Sequence, residues 1–295
     1  MNTPRPYQKI ALFLLGLVVV FGAAAALGSA FEPAATEEDG MEETMDAHAM
    51  EATSHGSPGS AEHEPAGLGI AAEGYSLRMS PSQMQRGEER ELRFTIESDG
   101  QPVTEFDELH ERRMHLIVVR RDGAEFQHLH PEMDAAGTWT VPVEFDAAGV
   151  YRAFADFSVE GEQQTLATDL FVSGGAFEAR PFPAPQPLAD TDGYEVRLAA
   201  GDPVAGEPAE LDFTVSRGGR QVEDLAPYLG AKGHLVALRE GDLAFLHIHP
   251  EEGHEVAAEE IEFAATFPTA GRYRLYLQFK HEGTVHTAEF TVVAR

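Results

Sequence analysis

The sequence contains no cysteine. That excludes disulfides, thiol nucleophiles, Cys-ligated zinc or iron–sulfur sites and a Cys-bound blue-copper centre, so any metal must be held by His, Met or carboxylate. Positive charge is also scarce: 21 Lys plus Arg stand against 50 Asp plus Glu, a formal net charge of -29. Such a chain is a poor partner for nucleic acid or an anionic membrane surface, and cations are its natural ligands. Acidic surface of this kind also serves solubility. From Tyr75 onward no long segment has helical period, and no Ser/His/Asp order, phosphate loop or paired acid/base signature stands out. The reading is therefore a non-enzyme.

Long apolar runs are missing, with one exception. Arg5 and Lys9 precede residues 10–30, a charge-free stretch long enough to span a bilayer. Residues 1–30 read as a signal anchor or a signal peptide, with Gly28 and Ala30 as an acceptable small-residue cleavage site. The chain is expected to be exported, membrane-anchored and facing the periplasm or cell exterior, or secreted if the segment is cleaved. Residues 31–70 are acidic, lack Lys and Arg, and scatter Met41, Met45, His48, Met50, His55 and His63 among carboxylates. They read as a disordered tether with a ligand mix suited to copper, or as a plain acidic linker in which Met and His are incidental.

The rest of the chain contains one unit twice. A shift of 119 residues superimposes Tyr75 on Tyr194, Gly87 on Gly206, Phe94 on Phe213, His115 on His234, and His128-Leu-His130-Pro-Glu132 on His247-Ile-His249-Pro-Glu251. Short alternating runs broken by Gly, Asp and Pro give strands near 75–80, 90–96, 113–120, 124–130, 138–145, 149–158 and 164–172. The fold class is all-β: two tandem immunoglobulin-like β-sandwiches over 71–173 and 193–295, each expected to be independent and seven-stranded, with a Pro-rich spacer at 174–192. Gly149-Val-Tyr151 and Gly271-Arg-Tyr273 resemble tyrosine corners.

With Asp122-Gly123 as a two-residue hairpin turn, Arg121 faces Ala124, Ile117 faces His128 and His115 faces His130. His115, His128 and His130 then share one face, close enough to converge on one ion. The same pairing, with Gly241-Asp242 in the turn, sets His234 against His249 with His247 beside it. One three-imidazole metal site is expected per repeat. Glu132 and Glu251 are candidates for a fourth ligand or a ring N–H acceptor. Met133, His281 and His286 are further candidates, whereas Met114 should point away from the site. Imidazole suits Cu(II) and Zn(II), and thioether would favour Cu(I).

The runs His115-Leu-Ile-Val-Val-Arg-Arg-Asp122, Phe126-Gln-His-Leu-His-Pro131, Gly137-Thr-Trp139 and Ala148-Gly-Val-Tyr-Arg-Ala-Phe-Ala-Asp-Phe157 resemble a family of exported bacterial proteins associated with heavy metals or copper. At fold level the repeats are similar to YtkA-like and CopC-like immunoglobulin-type domains, over 75–172 and less closely over 194–293. A CopC-type N-terminal His ligand is missing, so that copper chemistry does not carry over residue by residue. The resemblance implies extracytoplasmic metal binding, with copper first and zinc second, for buffering or delivery to a metal transporter. Two other readings stand beside it: a non-metal tandem scaffold or adhesion protein, and a bicupin-type metalloenzyme, whose His-x-His…Glu spacing fits poorly.

Overall fold

The computed structural model describes residues 65–246, 248–250 and 260–295, with backbone alone at 249 and 250. The first repeat runs through β1 (Ala71–Ala72), β2 (Tyr75–Ser80), β3 (Gln83–Gln85), β4 (Arg90–Ser98), β5 (Gln101–Pro102), β6 (His115–Arg120), β7 (Gln127–Leu129), β8 (Glu132–Met133), β9 (Trp139–Val143), β10 (Gly149–Val159) and β11 (Glu162–Ser173). The second runs through β12 (Leu188–Thr191), β13 (Tyr194–Ala199), β14 (Pro208–Arg217), β15 (Arg220–Gln221), β16 (Gly233–Arg239), β17 (Phe245–Leu246), β18 (His249–Pro250), β19 (Glu260–Thr266), β20 (Gly271–His281) and β21 (Thr284–Ala294). Among the described residues no helix is long and apolar enough to cross a membrane. The segment 10–30 and the tether up to residue 64 lie outside them.

Each repeat is a two-layer sandwich. In the first, the sheet β1-β2-β4-β9-β8, with β5 on β4, faces the sheet β3-β11-β10-β6-β7. In the second, β12-β13-β14-β19-β18, with β15 on β14, faces β17-β16-β20-β21. These sheets are open, which removes the barrel that the bicupin reading requires. Alternation along β4 turns Leu92, Phe94 and Ile96 inward onto Leu116, Val118, Ala153, Ala155 and Trp139. The equivalent Leu211, Phe213 and Val215 meet Leu235, Ala237, Leu275 and Leu277. Both expected tyrosine corners form: Tyr151 donates its hydroxyl to Ala147 O and Tyr273 to Thr269 O, each at 2.8 Å. The fold is therefore two tandem immunoglobulin-like sandwiches.

The repeats are not independent. Along β6 every residue is buried, because successive side chains point to opposite faces and both faces are covered. Leu116 and Val118 enter the first sandwich, while Ile117 and Val119 join a third core with Phe154, Val236, Leu238, Phe245 and Tyr276. That core is reciprocal. Phe126 stacks on Tyr276 at 4.1 Å, and their counterparts Phe245 and Phe154 lie 5.5 Å apart. Residue i meets j′ while j meets i′, the mark of a pseudo-twofold interface built inside one chain.

Two connecting segments seal the junction. Gly67 N donates to Thr165 O of the first repeat, Phe245 N of the second donates to Ala66 O, and Arg152 donates to Gly67 O and Leu68 O. The Pro-rich stretch does more than space the repeats. Its Phe182 is buried in the third core, Arg272 donates to Phe182 O and Pro183 O, and its end forms β12 on β13.

Candidate functional site

The hairpin that carries the histidines keeps the expected register by a different turn. Leu116, Ile117 and Val118 pair with Leu129, His128 and Gln127. The loop, however, is longer than two residues. Gly123 N donates to Arg120 O, Arg120 N to Ala124 O and Arg121 N to Val150 O of the neighbouring strand, and Glu125 takes the extra step at φ 56. His115, His128 and His130 consequently share the face of Ile117, with ring centroids 4.7 to 5.3 Å apart. This is the face that forms the interface between repeats.

Of the second expected trio only the His234 side chain is described. It follows Val236 and Leu238 on the outer face of β16, and these pack against the first repeat. His234 therefore arrives beside His115, its own counterpart, with centroids 5.5 Å apart and planes within 12°. It also lies 4.8 Å from His128. The backbone of His249 has crossed to the opposite sheet, where it pairs with Ala264 instead of facing His234. His247, the His249 side chain and Glu251 lie outside the described residues. Among the described residues the two repeats share a cluster: the ligand atoms of His115, His128 and His234 all lie within 4.8 Å of one another.

The remaining candidates separate from it. Met114 and Met133 pack against the first sandwich core, and Glu132 is exposed in β8 opposite Thr140. His281 bonds Tyr194 Oη at 2.7 Å and Asp224 Oδ1 at 3.0 Å, and His286 bonds Asp192 Oδ2 at 2.8 Å. Both serve the second sandwich around Tyr194.

One residue escaped the repeat comparison. Leu109 and Arg112 close a tight turn by mutual backbone hydrogen bonds, with His110 and Glu111 at its tip at φ 49 and 62, as in a type I′ turn. The ring of His110 lies 5.6 Å from that of His234 and 6.2 Å from that of His115. Its counterpart in the equivalent turn is Leu229, so a search for duplicated histidines passes over it.

A backbone carbonyl sets the tautomer of His115, and the Gln278 amide, in the orientation it takes here, sets that of His128. His115 Nε2 lies 2.9 Å from Leu109 O, and His128 Nδ1 lies 2.6 Å from Gln278 Oε1. Both partners are acceptors, so both nitrogens carry hydrogen. In neutral rings the other nitrogens, His115 Nδ1 and His128 Nε2, are then bare lone pairs, and they face each other at 2.9 Å. Such an arrangement calls for a cation between them. A proton is disfavoured, because burial pulls the pKa of His115 down and holds His128 and His234 well below the ordinary His value, with neighbouring imidazoles adding to the effect. Burial likewise brings His130 to about 4, and its Nε2 is buried without a hydrogen-bond partner. Asp156, buried and cross-strand from His115, places a carboxylate nearby. Two nitrogens bound to one tetrahedral ion at ~2.0–2.1 Å would sit ~3.3 Å apart. The His115–His128 pair, at 2.9 Å, is within a few tenths of an ångström of that spacing, and His234 completes a set whose ligand atoms lie within 4.8 Å of one another.

The family named Domain of unknown function (DUF8832) matches the chain twice, over 70–174 and 189–295. The chain belongs to this family. That match supports the duplication and names no metal. No curated protein matches the chain. Solved structures similar to it include a Salmonella alpha-2-macroglobulin mutant, at 13% identity, 79% coverage of this chain, 15% of that one and TM-score 0.28. The Escherichia coli adhesin FdeC shows 15% identity, coverages of 76% and 64%, and TM-score 0.25. The D0-D1 domain of intimin shows 12%, 74%, 97% and 0.22. Scores this low carry no functional inference.

Proposed function

We propose that this DUF8832 protein is an exported, non-enzymatic metal-binding module whose two repeats jointly hold one transition-metal ion through His115, His128 and His234, for buffering or delivery. The observation that carries the reading is the pair of bare nitrogens facing each other at 2.9 Å, both rings being committed to acceptors on their far sides. An all-imidazole set beside a carboxylate suits Cu(II) or Zn(II), and the packing of Met114 and Met133 against the first sandwich core weakens the case for a dedicated Cu(I) site. The apolar segment at 10–30 supports export, and a metal transporter fits the delivery role.

The decisive test uses the second repeat to probe a site read first in the first repeat. Calorimetric titration with Zn(II) or Cu(II) should show tight uptake by wild type that His234→Ala abolishes. Separate sites in each repeat would instead leave the first repeat's uptake intact. A second reading, a non-metal tandem scaffold, draws on the third core, which joins the repeats without an ion. It predicts equal, weak stabilisation by Zn(II) and by Mg(II), an ion that carboxylates accept and imidazoles do not favour.

A further inference from the structure

An ion with two positive charges, held by three neutral imidazoles at an enclosed junction, needs a counter-charge, because a buried charge without one is costly. We propose that Asp156 supplies it, and that this carboxylate shifts the preference of the site toward a divalent ion and away from Cu(I). The proposal rests on the metal reading above and adds a charge preference to it. Asp156 is 7% exposed and stands directly across from His115 on the neighbouring strand, so their Cβ atoms lie ~5 Å apart on the face that meets the second repeat. Thr165 Oγ1 donates to its Oδ1 at 3.1 Å, and Gln163 Nε2 approaches both of its oxygens at 3.4 Å, which holds the carboxylate in place. Its charge reaches His115, where it favours positive charge against the larger and opposite effect of burial.

The two repeats differ here by one exchange on a common frame. In the second repeat Gln278 stands opposite His234 as Asp156 stands opposite His115, and it bonds Thr287 as Asp156 bonds Thr165. The amide accepts from His128 Nδ1 at 2.6 Å and brings no charge, whereas the carboxylate brings a full one. Arg112, whose positive charge also reaches His115 and His130, is exposed, so solvent screens it more than it screens Asp156. Coulomb energy scales with the product of the charges, so at one position in the site Asp156 stabilises a divalent ion twice as strongly as a monovalent one. Removing the charge should then cost Zn(II) twice the logarithmic loss of affinity that it costs Cu(I). A purely structural role would weaken both ions alike.

The experiment is equilibrium competition of the full-length protein with chromophoric chelators, one for Zn(II) and, under anaerobic reducing conditions, one for Cu(I). Asp156→Asn keeps the shape and an oxygen for Thr165 while removing the charge. Zn(II) binding is expected to weaken roughly tenfold or more, and Cu(I) binding by about the square root of that factor. Equal weakening of the two ions overturns the proposal, and so does unchanged Zn(II) binding. Gln278→Glu tests it independently should Asp156→Asn not fold: it keeps an acceptor for His128 Nδ1 and adds a charge at the counterpart position. That variant should tighten Zn(II) by a larger factor than Cu(I), and a gain equal for both ions, or none, overturns the proposal. Wild type that takes up neither ion overturns both this proposal and the metal reading, whereas tight wild-type uptake with equal losses in Asp156→Asn overturns this one alone.

Discussion

In the proposed metal site Gln278 sets the protonation pattern of His128, although it would touch no ion itself. Its Oε1 accepts from His128 Nδ1 across the repeat junction, and its Nε2 donates to Thr287 Oγ1 at 3.5 Å. Replacing it by Leu keeps the volume and removes the acceptor. The His128 proton is then free to move to Nε2, where it can be donated to the bare Nδ1 of His115, 2.9 Å away. That new bond contributes about 1 kcal/mol to the ion-free state, and an ion has to break it. Loss of an orienting partner of a metal-bound His typically weakens affinity 10–100-fold, or about 1.4–2.7 kcal/mol. Gln278→Leu should therefore bind Zn(II) 10–100-fold more weakly, while the stability of the ion-free protein changes by less than about 1 kcal/mol because one hydrogen bond replaces another. Calorimetric titration near neutral pH gives the first quantity and urea unfolding the second. Imidazole nitrogen chemical shifts report the tautomers directly. Wild-type affinity in Gln278→Leu would refute the reasoning, because it would mean that the Gln278 amide presents N–H to His128 and that the two rings already form a neutral N–H···N chain.

Acid should destabilise the ion-free protein early. His130 is held at about 4 against an ordinary His value of ~6.5, so its neutral form is favoured on folding; stability is complete above ~6.5 and is lost as pH falls toward 4. His130 alone sets an upper bound of about 3 kcal/mol on that loss, lessened by solvent screening at its exposed edge, and urea midpoints across pH 7 to 4 measure it. Phe154→Ala empties a fully buried position in the third core and should cost about 3–5 kcal/mol and lower Zn(II) affinity by loosening the junction; denaturant unfolding and titration check both. Tyr151→Phe removes the corner hydroxyl and leaves Ala147 O without it, a loss of about 1–3 kcal/mol in the same assay with Zn(II) affinity unchanged.

Much of this architecture was legible from residue pattern, because it follows from local rules. Alternation located the strands, the Gly-x-Tyr runs located the corners, and a hairpin period of two set Ile117 opposite His128 even though the Arg120–Glu125 loop is not the simple turn assumed. The error came where pattern is silent. His115-Leu-Ile-Val-Val-Arg120 is apolar on both faces, and an independent sandwich needs only one of them covered. That continuous run was a sign of a strand buried on both sides. Followed through, it would have sent His234 across the junction with Val236 and Leu238. His110 was hidden for a different reason: it stands in a stretch where the two repeats share almost nothing, opposite Leu229. Gln278 gave no signal either, since its contact with His128 exists only once the repeats are docked.

The pseudo-twofold explains why equivalent histidines of the two repeats meet at the junction. Residues near such an axis meet their own counterparts, so a single histidine encoded in the ancestral unit is delivered twice to one place, as His115 and His234. Residues away from the axis are free to diverge. His128 and His130 flank the axial pair from the first repeat, while in the second the chain leaves the sheet after Leu246 and His249 joins β18 on the opposite layer. Leu229, the counterpart of His110, is 4% exposed at the equivalent turn, so Leu229→His sets a polar ring in an enclosed place and should destabilise the fold by about 1–3 kcal/mol in denaturant unfolding. Wild-type stability in that variant would show that the second turn opens to admit the ring.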